Sequence, residues 1–112
     1  LKFLKKNLIS RGLYRNVNLI KGDIFKTLNN FLLRNKKKKF SFVNLDVDLY
    51  HVTYFILKKI WPKVNKGGII LFDDYNSFPG ATKAIKLFLM ENKNAKFIKL
   101  KYFRNFYYCK KI

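Results

Sequence analysis

The chain has 112 residues, of which 49% are hydrophobic and 18% aromatic, and its 25 Lys and Arg against 6 Asp and Glu give a formal charge of +19. This length fits one domain, and the apolar content excludes a disordered basic tail. No apolar run approaches the roughly 18 residues of a membrane span, and the start lacks a secretory signal. The single Cys109 cannot form an internal disulfide, so we expect a cytoplasmic, reducing setting.

Hydrophobic periodicity predicts alternating helices and strands. The predicted helices cover residues 1–12, 27–35, 50–64 and 81–92, and the predicted strands cover 17–21, 40–49, 69–72, 96–101 and 106–112. The lysine run 36–39 and the glycine-containing segment 65–68 are predicted as a loop and a turn. The two C-terminal strands are expected to form an antiparallel pair.

This order of elements predicts an α/β fold with a mainly parallel sheet and a C-terminal antiparallel strand. Leu1 opens what reads as the middle of a helical pattern. We therefore expect residues 1–112 to be a single partial domain, the C-terminal part of a longer chain whose N-terminal strands are missing.

Acidic residues are rare in this chain, and most of them follow predicted strands. Five of the six lie at the predicted carboxyl ends of three strands, namely Asp23, Asp46, Asp48, Asp73 and Asp74. Parallel strands bring their carboxyl ends to one edge of a sheet, where ligands bind. Carboxylates that meet there repel each other unless a cation or proton compensates them, and oxygen ligands suit Mg²⁺, Mn²⁺ or Ca²⁺.

We therefore predict a metal site formed by Asp46, Asp73 and Asp74. The alternative is that these aspartates cap the following helices or pair with lysines, and for Asp48 taken alone this alternative, capping or lysine pairing, is the favoured interpretation. Tyr50 and Tyr75 follow the aspartates. Together with Asp48 they are candidates to line a substrate pocket, and packing is the alternative role of the two tyrosines.

Three motifs resemble the macrocin O-methyltransferase family of S-adenosylmethionine-dependent enzymes, whose members methylate sugar hydroxyls of natural products and related glycans. They are LDVDLY at 45–50, GGIILFDDY at 67–75 and PGATKA at 79–84. The similarity runs from about Gly12 to the C-terminus. It implies a Rossmann-like methyltransferase fold and a Mg²⁺ site similar to that of catechol-type O-methyltransferases, with Asp46, Asp73 and Asp74 as the ligands.

The resemblance also implies where the methyl donor binds. The segment that contains Asp23, Ile24 and Phe25 corresponds to the adenine side of the cofactor pocket, with Asp23 as a candidate to accept a hydrogen bond from the adenine amino group. Asp46 is a further candidate cofactor-binding residue. The family's glycine-rich loop and ribose-binding acid belong to strands upstream of Leu1. His51 stands where the family tends to have Glu.

The predicted function is Mg²⁺-assisted methyl transfer from S-adenosylmethionine to a hydroxyl of a sugar or related small molecule. A general base is needed, and His51 is a candidate, with a surface or capping role as the alternative. One rival is a Mg²⁺-dependent phosphate-handling hydrolase with an aspartyl nucleophile. Another is a non-catalytic basic module that binds nucleic acid, which the dispersed lysines do not favour. The sequence does not identify the acceptor molecule. It also leaves the oligomeric state open, and a homo-oligomer is one of the alternatives.

Overall fold

The computed structural model describes residues 1–102 and 106–112. The elements in chain order are α1 (Lys2–Ser10), α2 (Ile24–Arg34), β1 (Phe40–Leu45), α3 (Tyr50–Ile60), β2 (Val64–Phe72), α4 (Pro79–Glu91), β3 (Ala95–Lys99) and β4 (Tyr107–Lys111), with 3-10 turns at Tyr14–Asn16 and Trp61–Lys63. None of the helices in the described residues is both long and apolar enough to cross a membrane.

The described strands form one sheet in the order β1-β2-β4-β3. β1 and β2 are parallel and are joined through α3, whereas β4 runs antiparallel to both of its neighbours. The mixed α/β fold is confirmed, and so is the antiparallel pairing of the two C-terminal strands. Within the described residues, the parallel pairing is confined to β1 and β2.

The end of α1 and the start of α2 are each explained by one nearby residue. Gly12, two residues beyond α1, has φ +68, a left-handed conformation that glycine adopts without a steric penalty. Asp23 caps α2, because its Oδ1 accepts a hydrogen bond from the backbone N–H of Phe25 at 2.9 Å. The cap explains why α2 begins at Ile24, three residues before the predicted start.

The predicted strand at 17–21 does not form. Val17 has an extended backbone with φ −121 and ψ 130, but residues 17–21 pair with none of the described strands. Alternating hydrophobicity favours an extended backbone, whereas a strand also needs a neighbour that completes its hydrogen bonds. Asp23 was expected at a strand end and lies instead at the start of a helix.

The glycine-containing segment 65–68 is a bulge inside β2 rather than a turn before it. Phe40 is opposite Val64, but Phe42 is opposite Ile69, so β2 has more residues than β1 between these two paired positions. Gly67 has φ +82, and a Cβ on Gly68 would lie 2.7 Å from Val64 Cγ1 and 2.8 Å from the carbonyl oxygen of Asn65. β2 therefore begins five residues before the predicted strand.

The core lies between the sheet and the helices α3 and α4. Its fully buried side chains include Leu57, Ile70, Phe72, Ile85, Phe88 and Cys109. Trp61 packs edge-on against Phe88 with ring centroids 5.2 Å apart, and its Nε1 donates to Asn94 Oδ1 at 3.2 Å. Trp61, Phe72 and Phe88 are thus core residues.

The N-terminal third of the chain contributes little to this core. The described residues of α1 and α2 include no buried side chain. Their exposed hydrophobic residues, and those of the segments beside them, include Phe3, Leu4, Ile9, Leu13, Ile20, Phe25 and Leu33. The outer edge of β1 is also unpaired among the described strands.

Candidate active site

Two aspartate pairs meet at the carboxyl edge of the parallel strands. Leu45 and Phe72, the last residues of β1 and β2, are opposite each other in the register. The backbone N–H of Asp73 donates to the carbonyl of Leu45 at 3.1 Å, which ties the two strand ends together. The residues that follow, Asp46 on one strand and Asp73 and Asp74 on the other, therefore emerge side by side, as expected from the sequence.

The carboxylates form a tight cluster. Among the described residues, one oxygen each of Asp46, Asp48 and Asp74 lie within 4.8 Å of one another. Asp74 is buried, whereas Asp46 and Asp48 are exposed. Asp73 lies beside Asp46, since its negative charge raises the pKa of that carboxyl. The group within 4.8 Å thus contains Asp48 in place of the predicted Asp73, and the role of Asp73 as a ligand stays a prediction.

Asp74 fixes the loop that carries Asp48. Its Oδ2 accepts hydrogen bonds from the backbone N–H groups of Val47 at 3.0 Å and Asp48 at 2.9 Å. Asp48 itself has φ +62, a left-handed conformation that aspartate tolerates better than most residues. This turn is what directs the chain from β1 into α3, and the buried carboxylate holds it from the neighbouring strand.

Helix capping does not account for these four aspartates. The N-cap residues of α3 and α4 are Leu49 and Phe78, and neither helix has a side-chain cap. The capping role favoured for Asp48 alone is therefore wrong. Lysine pairing fails as well, because the salt bridge found within the described residues is that of Lys58 with Glu91, 3.8 Å apart.

The cluster is electrostatically costly as it stands. The pKa of Asp46 is raised above its ordinary value, first by loss of hydration and then by the negative charges of Asp73 and Asp74. The pKa of Asp48 is raised first by its hydrogen bond with Asp74, then by loss of hydration and by the same negative charges. In a chain of net charge +19, these carboxylates lie together and form no salt bridge with a cationic side chain of residues 1–102 and 106–112, which favours a bound cation or proton.

The starts of α3 and α4 meet beside the cluster. An ideal Cβ on Gly80 would lie 3.0 Å from the backbone nitrogen of Tyr50, so glycine allows the two helix starts to approach. Helix N-termini carry a partial positive charge, which stabilises nearby carboxylates. Gly80 belongs to the PGATKA motif, and this close approach was not inferred from the sequence.

The aromatic candidates differ in their surroundings. Tyr75 is buried and packs against Phe97 and Tyr107, with ring centroids 4.9 and 4.6 Å away, and burial raises the pKa of its hydroxyl. Tyr50 is half-buried beside the cluster, and the Nζ of Lys83 lies 5.7 Å from its ring centroid. The surroundings of Tyr75 match the packing role, whereas the half-buried Tyr50 is partly accessible.

His51 is exposed in the first turn of α3. Its ring stands edge-on to that of Tyr50, with the centroids 5.3 Å apart. The side chain therefore lies at the surface, beside Tyr50. Its role as a base stays a prediction.

The residues expected on the adenine side of the cofactor surround the start of α2. Asp23 uses Oδ1 for the helix cap, which leaves Oδ2 for a second donor. Ile24 and Phe25 are exposed on one side, and the Phe25 ring packs against Phe55 with centroids 4.8 Å apart. These positions are compatible with the adenine contact, which stays a prediction.

Comparison with known proteins identifies the family. The model of the macrocin O-methyltransferases (TylF) matches residues 4–107. The chain belongs to the macrocin O-methyltransferase family. No curated protein matches the chain significantly. The matched range spans the carboxylate cluster and α4, and the match confirms the resemblance noted from the sequence.

Solved structures show the same fold. The apo structure of CalS11, a TDP-rhamnose 3′-O-methyltransferase of calicheamicin biosynthesis, is 25% identical, has a TM-score of 0.81, and matches 97% of this chain and 50% of its own. A second CalS11 structure is 26% identical with a TM-score of 0.80, over 97% of this chain and 46% of its own. The O-methyltransferase NovP, 20% identical with a TM-score of 0.59 over 91% of this chain and 50% of its own, shares the fold. The chain thus spans about half the length of these proteins.

Proposed function

We propose that the protein to which this chain belongs transfers a methyl group from S-adenosylmethionine to a sugar hydroxyl with the help of Mg²⁺. The observation that carries the proposal is the cluster of Asp46, Asp48 and Asp74, whose oxygens lie within 4.8 Å of one another at the carboxyl edge of the parallel strands. Membership of an O-methyltransferase family supports it. The sugar acceptor is inferred from CalS11, which acts on TDP-rhamnose.

The residues present fit a divalent cation. All the side chains of the cluster offer carboxylate oxygens, the donors that Mg²⁺ prefers. Asp74 uses Oδ2 for two backbone N–H groups, so its other oxygen is available to the ion. We propose Asp46 and Asp74 as ligands, with Asp73 or Asp48 completing the set. The pKa of Asp46 is raised first by loss of hydration and that of Asp48 first by a side-chain hydrogen bond with Asp74, and both are raised further by a repulsion that a cation would relieve.

The chain's own residues would orient the acceptor beside the cluster. When bound, the cation lowers the pKa of the acceptor hydroxyl, and S-adenosylmethionine supplies the methyl group. Tyr50 borders the cluster and would position the acceptor ring. A base must take the hydroxyl proton. The two candidates in this chain are the exposed carboxylate of Asp48, within the cluster, and the imidazole of His51, beside Tyr50.

We further infer that residues 1–112 are part of a larger methyltransferase domain. The unpaired edge of β1 and the exposed apolar residues of α1 and α2 support this inference, since packed domains bury such surfaces. Asp23, Ile24 and Phe25 would then form one side of the cofactor pocket. Its glycine-rich side belongs to the rest of the domain.

The test is a calorimetric titration of S-adenosylmethionine into the whole protein, with and without Mg²⁺, followed by a methyl transfer assay with TDP-rhamnose. We expect cofactor binding and methyl transfer that requires the cation. Asp46→Asn should abolish the methyl transfer that requires the cation. Asp23→Asn should weaken cofactor binding and leave cation binding intact. Absence of cofactor binding under both conditions would overturn the proposal, and hydrolysis of p-nitrophenyl phosphate would then favour the phosphate-handling alternative.

A further inference from the structure

A groove lies beside the carboxylate cluster, between the loop that follows β2 and the first two turns of α4. Its volume is about 480 Å³. Its lining residues are Asn76, Ser77, Pro79, Thr82, Lys83 and Lys86. None of the sequence-based site predictions includes these residues.

One wall of the groove is held in place by hydrogen bonds. The backbone N–H of Asn76 donates to Thr82 Oγ1 at 2.9 Å, and Thr82 Oγ1 donates to the carbonyl of Phe78 at 3.0 Å. The side-chain amide of Asn76 donates to the hydroxyl of Tyr107 at 3.2 Å. The loop is therefore tied both to α4 and to β4, and the groove is formed without a ligand.

The groove is linked to the cluster through the loop that follows β2. The backbone N–H groups of Ser77 and Phe78 donate to the carbonyl of Asp74 at 3.0 and 3.1 Å, so the groove wall begins at a residue of the cluster. On the α4 side, the Nζ of Lys83 lies 5.7 Å from the ring centroid of Tyr50, the first residue of α3. The groove and the cluster therefore share the loop that follows β2.

The charge of the groove is opposite to that of the cluster. Lys83 and Lys86 are three residues apart and lie on one face of α4, and no acidic side chain lines the groove. Neither lysine forms a salt bridge within the described residues. The first turn of α4 contains no acidic residue and has no side-chain cap, so its N-terminal partial charge adds to that of the two lysines.

We propose that this groove binds a phosphate group of the acceptor, so that the methylated hydroxyl belongs to a phosphorylated sugar. The inference rests on the proposed function, which it makes more specific. The carboxylates repel an anion and hold a cation, whereas Lys83 and Lys86 attract a phosphate and hold it as point charges. An acceptor with its hydroxyl at the cluster and its phosphate in the groove satisfies both halves of the site.

Inorganic pyrophosphate is the first probe, titrated into the protein at about 0.15 M salt, where long-range attraction by the net charge is screened beyond roughly 8 Å. We expect the double variant Lys83→Gln/Lys86→Gln to bind it at least tenfold more weakly than the wild type. Lys93→Gln/Lys96→Gln removes the same charge from exposed positions elsewhere and should bind like the wild type. Equal weakening in both double variants, or no binding by the wild type, would overturn the proposal.

Kinetics with the whole protein separate this proposal from the proposed function. With TDP-rhamnose, Lys83→Gln/Lys86→Gln should raise KM at least tenfold and leave kcat within a factor of about two, because the lysines bind the phosphate and take no part in methyl transfer. Methyl transfer that is equally efficient with rhamnose and TDP-rhamnose would overturn the groove proposal alone. Groove-specific binding of pyrophosphate by a protein that does not bind S-adenosylmethionine would overturn the proposed function, and with it the acceptor assignment.

Discussion

Asp74 holds the backbone of Asp48 from the neighbouring strand, with its Oδ2 2.9 Å from the Asp48 nitrogen. The same oxygen accepts a hydrogen bond from Val47. One buried carboxylate therefore has two tasks, since it belongs to the cluster and also positions another member of it. A substitution at Asp74 changes the geometry of the site as well as its charge.

We expect Asp74→Ala to destabilise the protein by about 2–3 kcal/mol, because two backbone N–H groups lose their acceptor in a partly buried position. Asp74→Asn retains an acceptor oxygen, so its cost should be smaller, about 1 kcal/mol. Urea unfolding followed by circular dichroism measures both values. Equal losses in the two variants would show that the hydrogen bonds to Val47 and Asp48 do not carry the effect.

The stability of the cation-free protein should fall as pH rises above about 4. The pKa values of Asp46 and Asp48 are raised above the ordinary 3.8 in the folded state, so the folded protein binds more protons than the unfolded chain within that window. The stabilisation from these protonated carboxyls is present below pH 3.8 and is lost as pH rises through the raised values.

Thermal melts between pH 3.5 and 7 in the presence of a chelator measure this dependence. Titratable groups elsewhere add their own slopes, so the informative quantity is the difference between the wild type and Asp46→Asn. The variant removes one charge of the cluster and should show a weaker fall in Tm over the window. Addition of Mg²⁺ at pH 7 should restore stability to the wild type. An identical pH profile in both proteins would contradict the repulsion that we infer.

Gly80→Ala should destabilise the protein by about 1–3 kcal/mol, a typical cost of overpacking. The added Cβ would lie 3.0 Å from the backbone nitrogen of Tyr50 and 3.4 Å from its Cβ, so α3 and α4 would have to separate at their starts. The exposed Met90 provides a control on the same helix, and Met90→Ala should change stability by less than about 0.5 kcal/mol. A neutral Gly80→Ala variant would show that the helix starts have room to adjust.

Much of the site could be predicted from the sequence, because its signals are local. Buried apolar runs that end in aspartates marked the carboxyl ends of β1 and β2, and the single crossover between them placed Asp46 next to Asp73 and Asp74. The left-handed turn that carries Asp48 could not be predicted, since it is held by a hydrogen bond that the backbone N–H of Asp48 donates to Asp74, 26 residues along the chain.

The incorrect fold predictions have the same cause, namely interactions between residues that are distant in sequence. The segment 17–21 has the alternation of a strand, but pairing depends on a partner that the local sequence does not specify. The bulge at 65–68 arises because β1 and β2 pair on both sides of it. This pairing depends on both strands together, so the sequence of one strand alone does not indicate it. Asp23 was read as a strand-end residue, although its position one residue before an amphipathic run is also typical of a helix cap.

Cys109 should be unreactive in the folded protein. It is fully buried in β4, and burial raises the pKa of its thiol to about 12, so almost no thiolate exists at pH 8. We expect no alkylation by iodoacetamide within an hour, and complete alkylation in 6 M guanidinium chloride, both measured by mass spectrometry. Rapid native labelling would indicate that β4 opens readily from the sheet.

The position of β4 also constrains the route by which the chain folds. This strand is the last along the sequence, yet it lies between β2 and β3 and is the partner that β3 has within the described sheet. A ribosome must therefore release residues 107–111 before β3 can be hydrogen-bonded at all, and until then the inner edge of β2 is open to other chains. A nascent chain with its four helices already formed would remain vulnerable to aggregation until residues 107–111 have been released.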